Sequence, residues 1–323
     1  VGSEKPDRSF KPGVLIITGD GLNCERETAW AFALAGADPQ LVHISDILRR
    51  NRRLEEYDAL AFIGGFSNGD HLGAGTVQAA RFRHTLRDDL QSFIGQRKPI
   101  IGICNGFQTL VKMGILPGIL LGGPGGSGTM PSVPASAPAG GSGTMPGARS
   151  AAEAHQDPWN RIATIMINDS GRFEDRWVHL AVNPDSPCIW TRGLKRLFLP
   201  VRHGEGKYFM AEEERLDDLE RNNQVVARYA TPEGVPTQDY PANPNGSQRA
   251  IAAVCDATGL IFGLMPHPEG YISPYNHPSW TRESAGSRSL PSEGEGLAIF
   301  RNAVTHLRGE AGLRPGKRAG EGT

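Results

Sequence analysis

Pro99-Ile100-Ile101-Gly102-Ile103-Cys104-Asn105-Gly106-Phe107-Gln108 is the stretch that decides how this chain folds. Proline has no N–H for a ladder and so begins a strand rather than sitting inside one. The apolar run Ile100, Ile101 and Ile103 suits a strand buried on both faces, and Gln108 to Met113 continues with helix-compatible spacing. A strand that turns sharply into a helix leaves Cys104 at the corner, with Gly102 and Gly106 on either side of it. Side chains at those two positions would collide as the chain folds back. That is the steric logic of the G-x-S-x-G elbow, here carrying sulfur. The helix N-terminus turns unpaired N–H groups and the positive end of its dipole toward the thiol, and both favour thiolate. A small buried core cysteine is the competing reading. The paired glycines favour a nucleophile.

Working outward, Gly13 to Thr18 reads as a buried first strand. A turn at Gly19 to Asn23 leads into a helix from Glu25 to Leu34, closed by Gly36, and Leu41 to Ile44 is the next strand. Gly19-Asp20-Gly21 falls short of a dinucleotide fingerprint, because Cys24 stands where the third glycine belongs. Tyr57 to Ile63 leads to a third strand ending in Gly64-Gly65-Phe66-Ser67-Asn68-Gly69-Asp70. A glycine-rich loop at a strand C-terminus lies where open α/β sheets bind ligands, and its N–H groups can approach a substrate oxygen closely. A helix from about Thr85 to Ile94 delivers the chain to the Cys104 strand. This alternation predicts an α/β fold with a mostly parallel central sheet covered by helices.

From Pro117 to Asp157 the composition shifts to Gly, Pro, Ser and Ala, and Gly125-Gly126-Ser127-Gly128-Thr129-Met130-Pro131 recurs at 140–146. Such a segment lacks the apolar surface to order itself. It is expected to be a disordered insertion (118–157) within a single domain (12–308), with flexible tails at 1–11 and 309–323. Further strands are expected at Ile162 to Ile167, Arg172 to Val178, Leu197 to Val201 and Val225 to Tyr229. Ile251 to Asp256 and Leu260 to Met265 read as a hairpin, Tyr271 to Pro291 as loop, and Gly296 as the start of a closing helix.

The chain has 323 residues and a net charge of −1, so it can bury a real core and offers no electrostatic case for nucleic acid or anionic membrane. Cys24, Cys104, Cys188 and Cys255 are scattered, with no C-x-x-C pair and no His/Cys cluster at metal spacing, which speaks against a disulfide scaffold or a zinc site. No apolar run approaches the ~20 residues needed to span a bilayer. A cytoplasmic chain with no metal is the expectation.

A cysteine nucleophile needs an imidazole beside it and a third group to hold the ring. Of nine histidines, His203 and His267 have a glutamate two residues on. In His267-Pro268-Glu269 the proline biases His267 toward extended backbone, which puts residues i and i+2 on one side. Glu269 can then orient the ring. In His203-Gly204-Glu205 the glycine imposes no such geometry, so His203 and Glu205 are accessory candidates only.

Taken together, Gly64-Gly65, Gly102-Ile103-Cys104-Asn105-Gly106-Phe107-Gln108 and His267-Pro268-Glu269 resemble the three signatures of class I glutamine amidotransferases. Gly64 to Asp70, Arg172-Phe173-Glu174, Arg176-Trp177-Val178, His203-Gly204-Glu205-Gly206, Asn222 to Val226 and Pro244-Asn245-Gly246-Ser247 are similar, more narrowly, to the family of glutaminase subunits of phosphoribosylformylglycinamidine synthase. The likeness runs from about Val14 to Phe300 outside the insertion. It implies a flavodoxin-like fold, a Cys104, His267 and Glu269 triad, and oxyanion or substrate binding by Gly64, Gly65, Asn105 and Gln108. It also implies no cofactor in this chain. ATP and Mg are expected on a synthetase partner that converts formylglycinamide ribonucleotide to its amidine, with room for a small accessory subunit. Two features depart from the pattern: Gly270, where the family commonly has arginine, and the insertion. Both bear on partner contacts more than on chemistry. Another cysteine hydrolase or peptidase on a related sheet would act on peptides or esters rather than glutamine. A catalytically inactive regulatory module would leave Cys104 untouched by a glutamine-like electrophile.

Overall fold

The structure, a computed structural model, describes residues 10–118, 159, 161–285 and 289–312; the expected insertion and most of both tails lie outside the described residues. Strands β3 (Ala59–Phe62) and β4 (Ile100–Ile103) have every side chain buried, as unbroken apolar runs require of strands covered on both faces. β1 (Gly13–Thr18) pairs parallel with β2 (Asp38–His43) and with β3, and β4 pairs parallel with β3 and with β11 (Ile261–Leu264). The order β2-β1-β3-β4-β11 is therefore a parallel core of the kind expected. Beyond β11 the sheet continues antiparallel through β10 (Ile251–Cys255), β9 (Val225–Ala230), β6 (Glu174–Val182) and β7 (Arg196–His203). The β10–β11 hairpin is the one read from the sequence. β5 (Thr164–Ile167) and β8 (Glu205–Phe209) form a separate antiparallel ribbon.

Helix α1 (Glu25–Ala35) joins β1 to β2, and α2 (Ile44–Leu48) follows β2. α3 (Thr76–Thr85) and α4 (Arg87–Gly95) lie between β3 and β4, and α5 (Asn105–Met113) leaves β4. The strand order reverses direction after β2, so right-handed crossovers send α1 to one face and α3 and α4 to the other. α1 packs on the closing helix α8 (Leu297–Gly312), where Phe32 meets Phe300 edge-on at 4.9 Å. On the other side α3 packs on α5, and Phe82 meets Phe62 at 5.0 Å.

Several elements depart from their expected bounds. The helix read at Thr85 to Ile94 is α4, within two residues of its bounds, and α3 before it has no counterpart in that reading, because it buries Gln78 beside Ala79 and Phe82 and shows little apolar periodicity. Gln78 is satisfied there by the Thr109 hydroxyl, which donates to it at 3.1 Å. α6 (Glu213–Arg221) was not read, since only Leu216 and Leu219 of its nine residues are buried. β2 begins at Asp38 rather than Leu41; as an edge strand it tolerates Pro39. The stretch read as loop after Tyr271 contains α7 (Trp280–Ala285), and α8 runs four residues past the expected tail boundary.

At the elbow Cys104 has φ 50° and ψ −105°, a strained conformation for a residue with a side chain. A Cβ on Gly106 would lie 2.0 Å from the Phe62 carbonyl oxygen, and one on Gly102 would lie 2.8 Å from the Gly106 oxygen. Backbone on both sides leaves nothing to yield. Gly106→Ala is therefore expected to cost at least about 2 kcal/mol of stability, measured by urea unfolding; an unchanged midpoint would show that α5 can lift away from β3.

Candidate active site

The thiol and the imidazole meet because of strand register. Leu264 on β11 pairs with Ile103 on β4, so the residues that follow the two parallel strands emerge side by side. Cys104 N–H donates to the Leu264 carbonyl at 2.8 Å, and the Cys104 carbonyl accepts from Gln108 N–H at 3.0 Å to start α5. The thiol is almost fully buried and donates to the Arg202 carbonyl at 3.5 Å. Two residues past Met265, His267 N–H donates to the Pro200 carbonyl at 2.8 Å, which ties the histidine to edge strand β7. His267 is extended, with φ −104° and ψ 92°, as a residue before proline should be.

Extended backbone brings Glu269 back to the ring: His267 Nδ1 and Glu269 Oε1 are 2.5 Å apart, and both side chains are buried. Burial opposes charge on the imidazole, but the Glu269 carboxylate and then the Cys104 sulfur outweigh it and hold His267 well above the usual histidine range. His267 Nε2 is buried without a hydrogen-bond partner. Nucleophile–base bonds of this kind often close only when substrate is bound.

The glycine loop divides its duties. A Cβ on Gly64 would come within 2.7 Å of His267 Cε1 and 3.0 Å of Cys24 Sγ, so the bare backbone there seats the ring. Gly65 lies forward, on the wall of a cavity of about 120 Å³ that also touches Phe66, Cys104, Gln108 and Phe173. Its N–H donates to no backbone carbonyl among the described residues, and the Asn105 N–H opens α5 where no intrahelical acceptor exists. The Asn105 side chain braces the loop, donating to Asp70 Oδ1 at 3.1 Å and Gln108 Oε1 at 3.0 Å. Gln108 Nε2 donates to the Glu205 carbonyl at 2.5 Å.

The two H-x-E pairs have different surroundings. His203 Nδ1 is 3.1 Å from Asn168 Oδ1 and its Nε2 is 3.5 Å from Asn245 Nδ2, so its two ring nitrogens are occupied. Burial, and then the nearby His267, push its pKa down to about 3. Glu205 turns away from that ring: its carboxylate accepts from Ala74 N–H at 3.2 Å and lies 3.6 Å from Lys112 Nζ. Both residues still line the cavity. At Gly270, a Cβ would come 2.9 Å from Pro200 Cγ and 3.9 Å from the Arg202 guanidinium.

Sequence reasoning passed over two residues here. Cys24, which the sequence marks only as one of four scattered cysteines, places its sulfur 3.9 Å from His267 Nδ1. Asp70, quoted only as the end of a loop, is part of the cavity wall. Nothing local marks either residue, since both are brought in by the approach of the Gly64 loop to β1 and α5. Cys24, His267 and Glu269 have ligand-type atoms within 4.8 Å of one another, but a metal there would take the nitrogen that Glu269 holds. A larger hollow of about 460 Å³ between His179, Phe198 and His277 contains no cysteine, so the chemistry of the residues and not cavity size locates the site.

The description of a CobB/CobQ-like glutamine amidotransferase domain matches residues 11–132 and 141–307, and the chain belongs to that family. It is 41% identical to phosphoribosylformylglycinamidine synthase subunit PurQ of Dehalococcoides mccartyi, over 92% of this chain and 98% of that one. The subunit PurQ of Methanococcus maripaludis is 36% identical over 92% of this chain and 97% of its own. The solved PurLQS structure from Thermotoga maritima superposes with a TM-score of 0.60 at 25% identity, covering 92% of this chain and all of the matched one. Within the amidotransferases, the particular group is that of the PurQ subunits.

The buried neutral His203 has a consequence for acid stability. Its folded pKa lies below the unfolded value near 6.5, so the unfolded chain takes up the proton first and stability falls as pH drops below that value. Between pH 7 and pH 5 this one residue should remove about 2 kcal/mol. Denaturant melts at both pH values should show a steeper acid loss for the wild type than for His203→Gln; equal slopes would refute the assignment.

Proposed function

We propose that Cys104, His267 and Glu269 form the triad of a glutaminase, with Cys104 as nucleophile. The observation that carries this reading is the buried His267–Glu269 pair, 2.5 Å apart, beside a cysteine on a strained elbow. The Cys104 thiolate attacks the side-chain carbonyl carbon of glutamine. The N–H groups of Gly65 and Asn105 hold the oxygen as it gains charge. His267, protonated when the thiol gives up its proton, passes that proton to the departing nitrogen, and ammonia leaves a thioester on Cys104. His267 then takes a proton from water, which attacks the thioester and releases glutamate and the thiolate. Glu269 keeps the ring in the useful tautomer and stabilises its charged form.

The relatives are named as subunits of phosphoribosylformylglycinamidine synthase, and the Thermotoga match lies in a PurLQS complex. In the same role this chain supplies ammonia to a synthetase partner, which converts formylglycinamide ribonucleotide to formylglycinamidine ribonucleotide in purine biosynthesis. ATP and Mg belong to that partner, and the chain itself uses no cofactor. Among the described residues no helix is long and apolar enough to cross a membrane.

Cys104→Ala is expected to abolish glutamine hydrolysis while the complex with the synthetase still works on added ammonia. Glutamate release together with ammonia-dependent product formation checks this, and persistent glutaminase turnover would sink the assignment. Glu269→Gln should lower turnover steeply, toward the roughly 10⁴-fold loss seen when a triad aspartate becomes an amide. Losses as large from His203→Ala as from His267→Ala would leave the choice of base unsupported.

A further inference from the structure

We propose that Cys24 is a positioning residue for the base, its neutral thiol serving as the second hydrogen-bond donor to the Glu269 carboxylate when His267 gives its proton to the departing nitrogen. The inference rests on the reading of Cys104, His267 and Glu269 as a triad.

Cys24 stands at the N-cap of α1, where a side-chain oxygen from Ser, Thr, Asp or Asn is the usual choice. Its thiol makes no capping bond. The side chain faces the base instead: Sγ is 3.9 Å from His267 Nδ1, and the sulfur, a nitrogen of that ring and a Glu269 oxygen lie within 4.8 Å of one another. The backbone that carries it is fixed on both sides. Thr28 donates to the Cys24 carbonyl through its N–H at 3.1 Å and its hydroxyl at 2.7 Å. Asn23 N–H donates to the Gly64 carbonyl at 3.3 Å and Phe66 N–H to the Gly21 carbonyl at 2.8 Å, so the turn before α1 is stitched to the glycine loop that seats the ring.

Glu269 Oε1 is 2.5 Å from His267 Nδ1, but Glu269 Oε2 is buried with no hydrogen-bond partner among the described residues. A buried carboxylate oxygen left unpaired is costly, and the cost grows when the neighbouring counter-charge is lost. That loss occurs in every turnover. As His267 Nε2 gives up its proton the ring becomes neutral, while Glu269 keeps its full charge. The Cys24 S–H donates to Asn23 Oδ1 at 3.4 Å, and Asn23 is exposed, so water can take over there. Rotation about the Cβ–Sγ bond then turns the S–H toward the carboxylate. A thiol is a weak donor, and a charged acceptor strengthens the bond it makes. Burial pushes the Cys24 thiol up, His267 offsets part of the rise and the Glu269 and Cys104 charges add to it, so the sulfur keeps its proton at neutral pH. The bond gains strength as the ring loses its charge rather than when glutamine binds, so it acts on kcat.

The test measures glutamate release by the full chain with its synthetase partner. Cys24→Ala should lower kcat about ten-fold while KM for glutamine changes by less than about two-fold, the scale of one hydrogen bond to a charged group made in the transition state. Cys24→Ser, which returns a donor to the same place, should recover most of that loss. Cys24→Val fills the space without a donor and should be as slow as Cys24→Ala, and it carries the test if Cys24→Ala fails to fold. The far-downfield proton NMR signal of His267 Nδ1–H should move in the Ala and Val variants and return in Cys24→Ser, which packing alone would not produce. A wild-type kcat in a folded donorless variant, or recovery by Val and not by Ser, overturns the proposal while leaving the triad in place. Retained glutamine turnover in Cys104→Ala overturns the triad reading, and this inference with it.

Discussion

Strand β3 and helix α5 touch through bare backbone at Gly106, where any Cβ would sit 2.0 Å from the Phe62 carbonyl oxygen. That approach lets the chain leave β4, turn at Cys104 and enter α5 without stepping away from the sheet. Had a side chain held the helix off, the thiol would swing out of register with β11, and His267 would no longer meet it. The cost is stored in the backbone of Cys104 itself, with φ 50°. A strained residue of this kind persists only where its surroundings over-determine it. Here the Cys104 N–H is held by Leu264 and its carbonyl by the first helical hydrogen bond.

Around this corner the site is built in two shells of different character. On one side, buried Glu269 and the Cys104 sulfur hold an imidazole that burial alone would keep neutral. On the other, the Gly64 to Asp70 loop is braced by Asn105, which donates to Asp70 and to Gln108, while Gln108 donates to the Glu205 carbonyl. The same loop seats the His267 ring at Gly64 and faces the cavity at Gly65. A shift of this loop would therefore move the His267 ring and the Gly65 N–H together.

The elements visible in the sequence are those whose burial is continuous. β1, β4 and the β10–β11 hairpin carry apolar runs that no other environment accommodates, and their bounds come out within a residue or two. α3 escapes because a helix that buries a polar glutamine has almost no periodic signal, and α6 because its apolar stripe is only two leucines within a highly charged stretch. The antiparallel leaf from β9 to β7 was read strand by strand. Its order, β10-β9-β6-β7, depends on pairings between segments far apart in the chain.

The sequence by itself determined the local chemistry. Gly102 and Gly106 around Cys104 admit a tight elbow and little else, and Pro268 constrains His267 so that Glu269 can reach its ring. These are short-range steric facts, complete within a few residues. Pro268 already favours His267 over His203, which shares the H-x-E pattern, but only the tertiary structure shows what encloses His203. His203 is enclosed by Asn168 and Asn245, contributed by segments about 35 and 42 residues away, and burial then keeps it neutral. Asp70, Glu205 and Lys112 likewise became neighbours only when the loop after β3, strand β8 and helix α5 converged on one cavity. Burial and electrostatic environment are sums over everything that packs around a group, and no local stretch of sequence contains that sum.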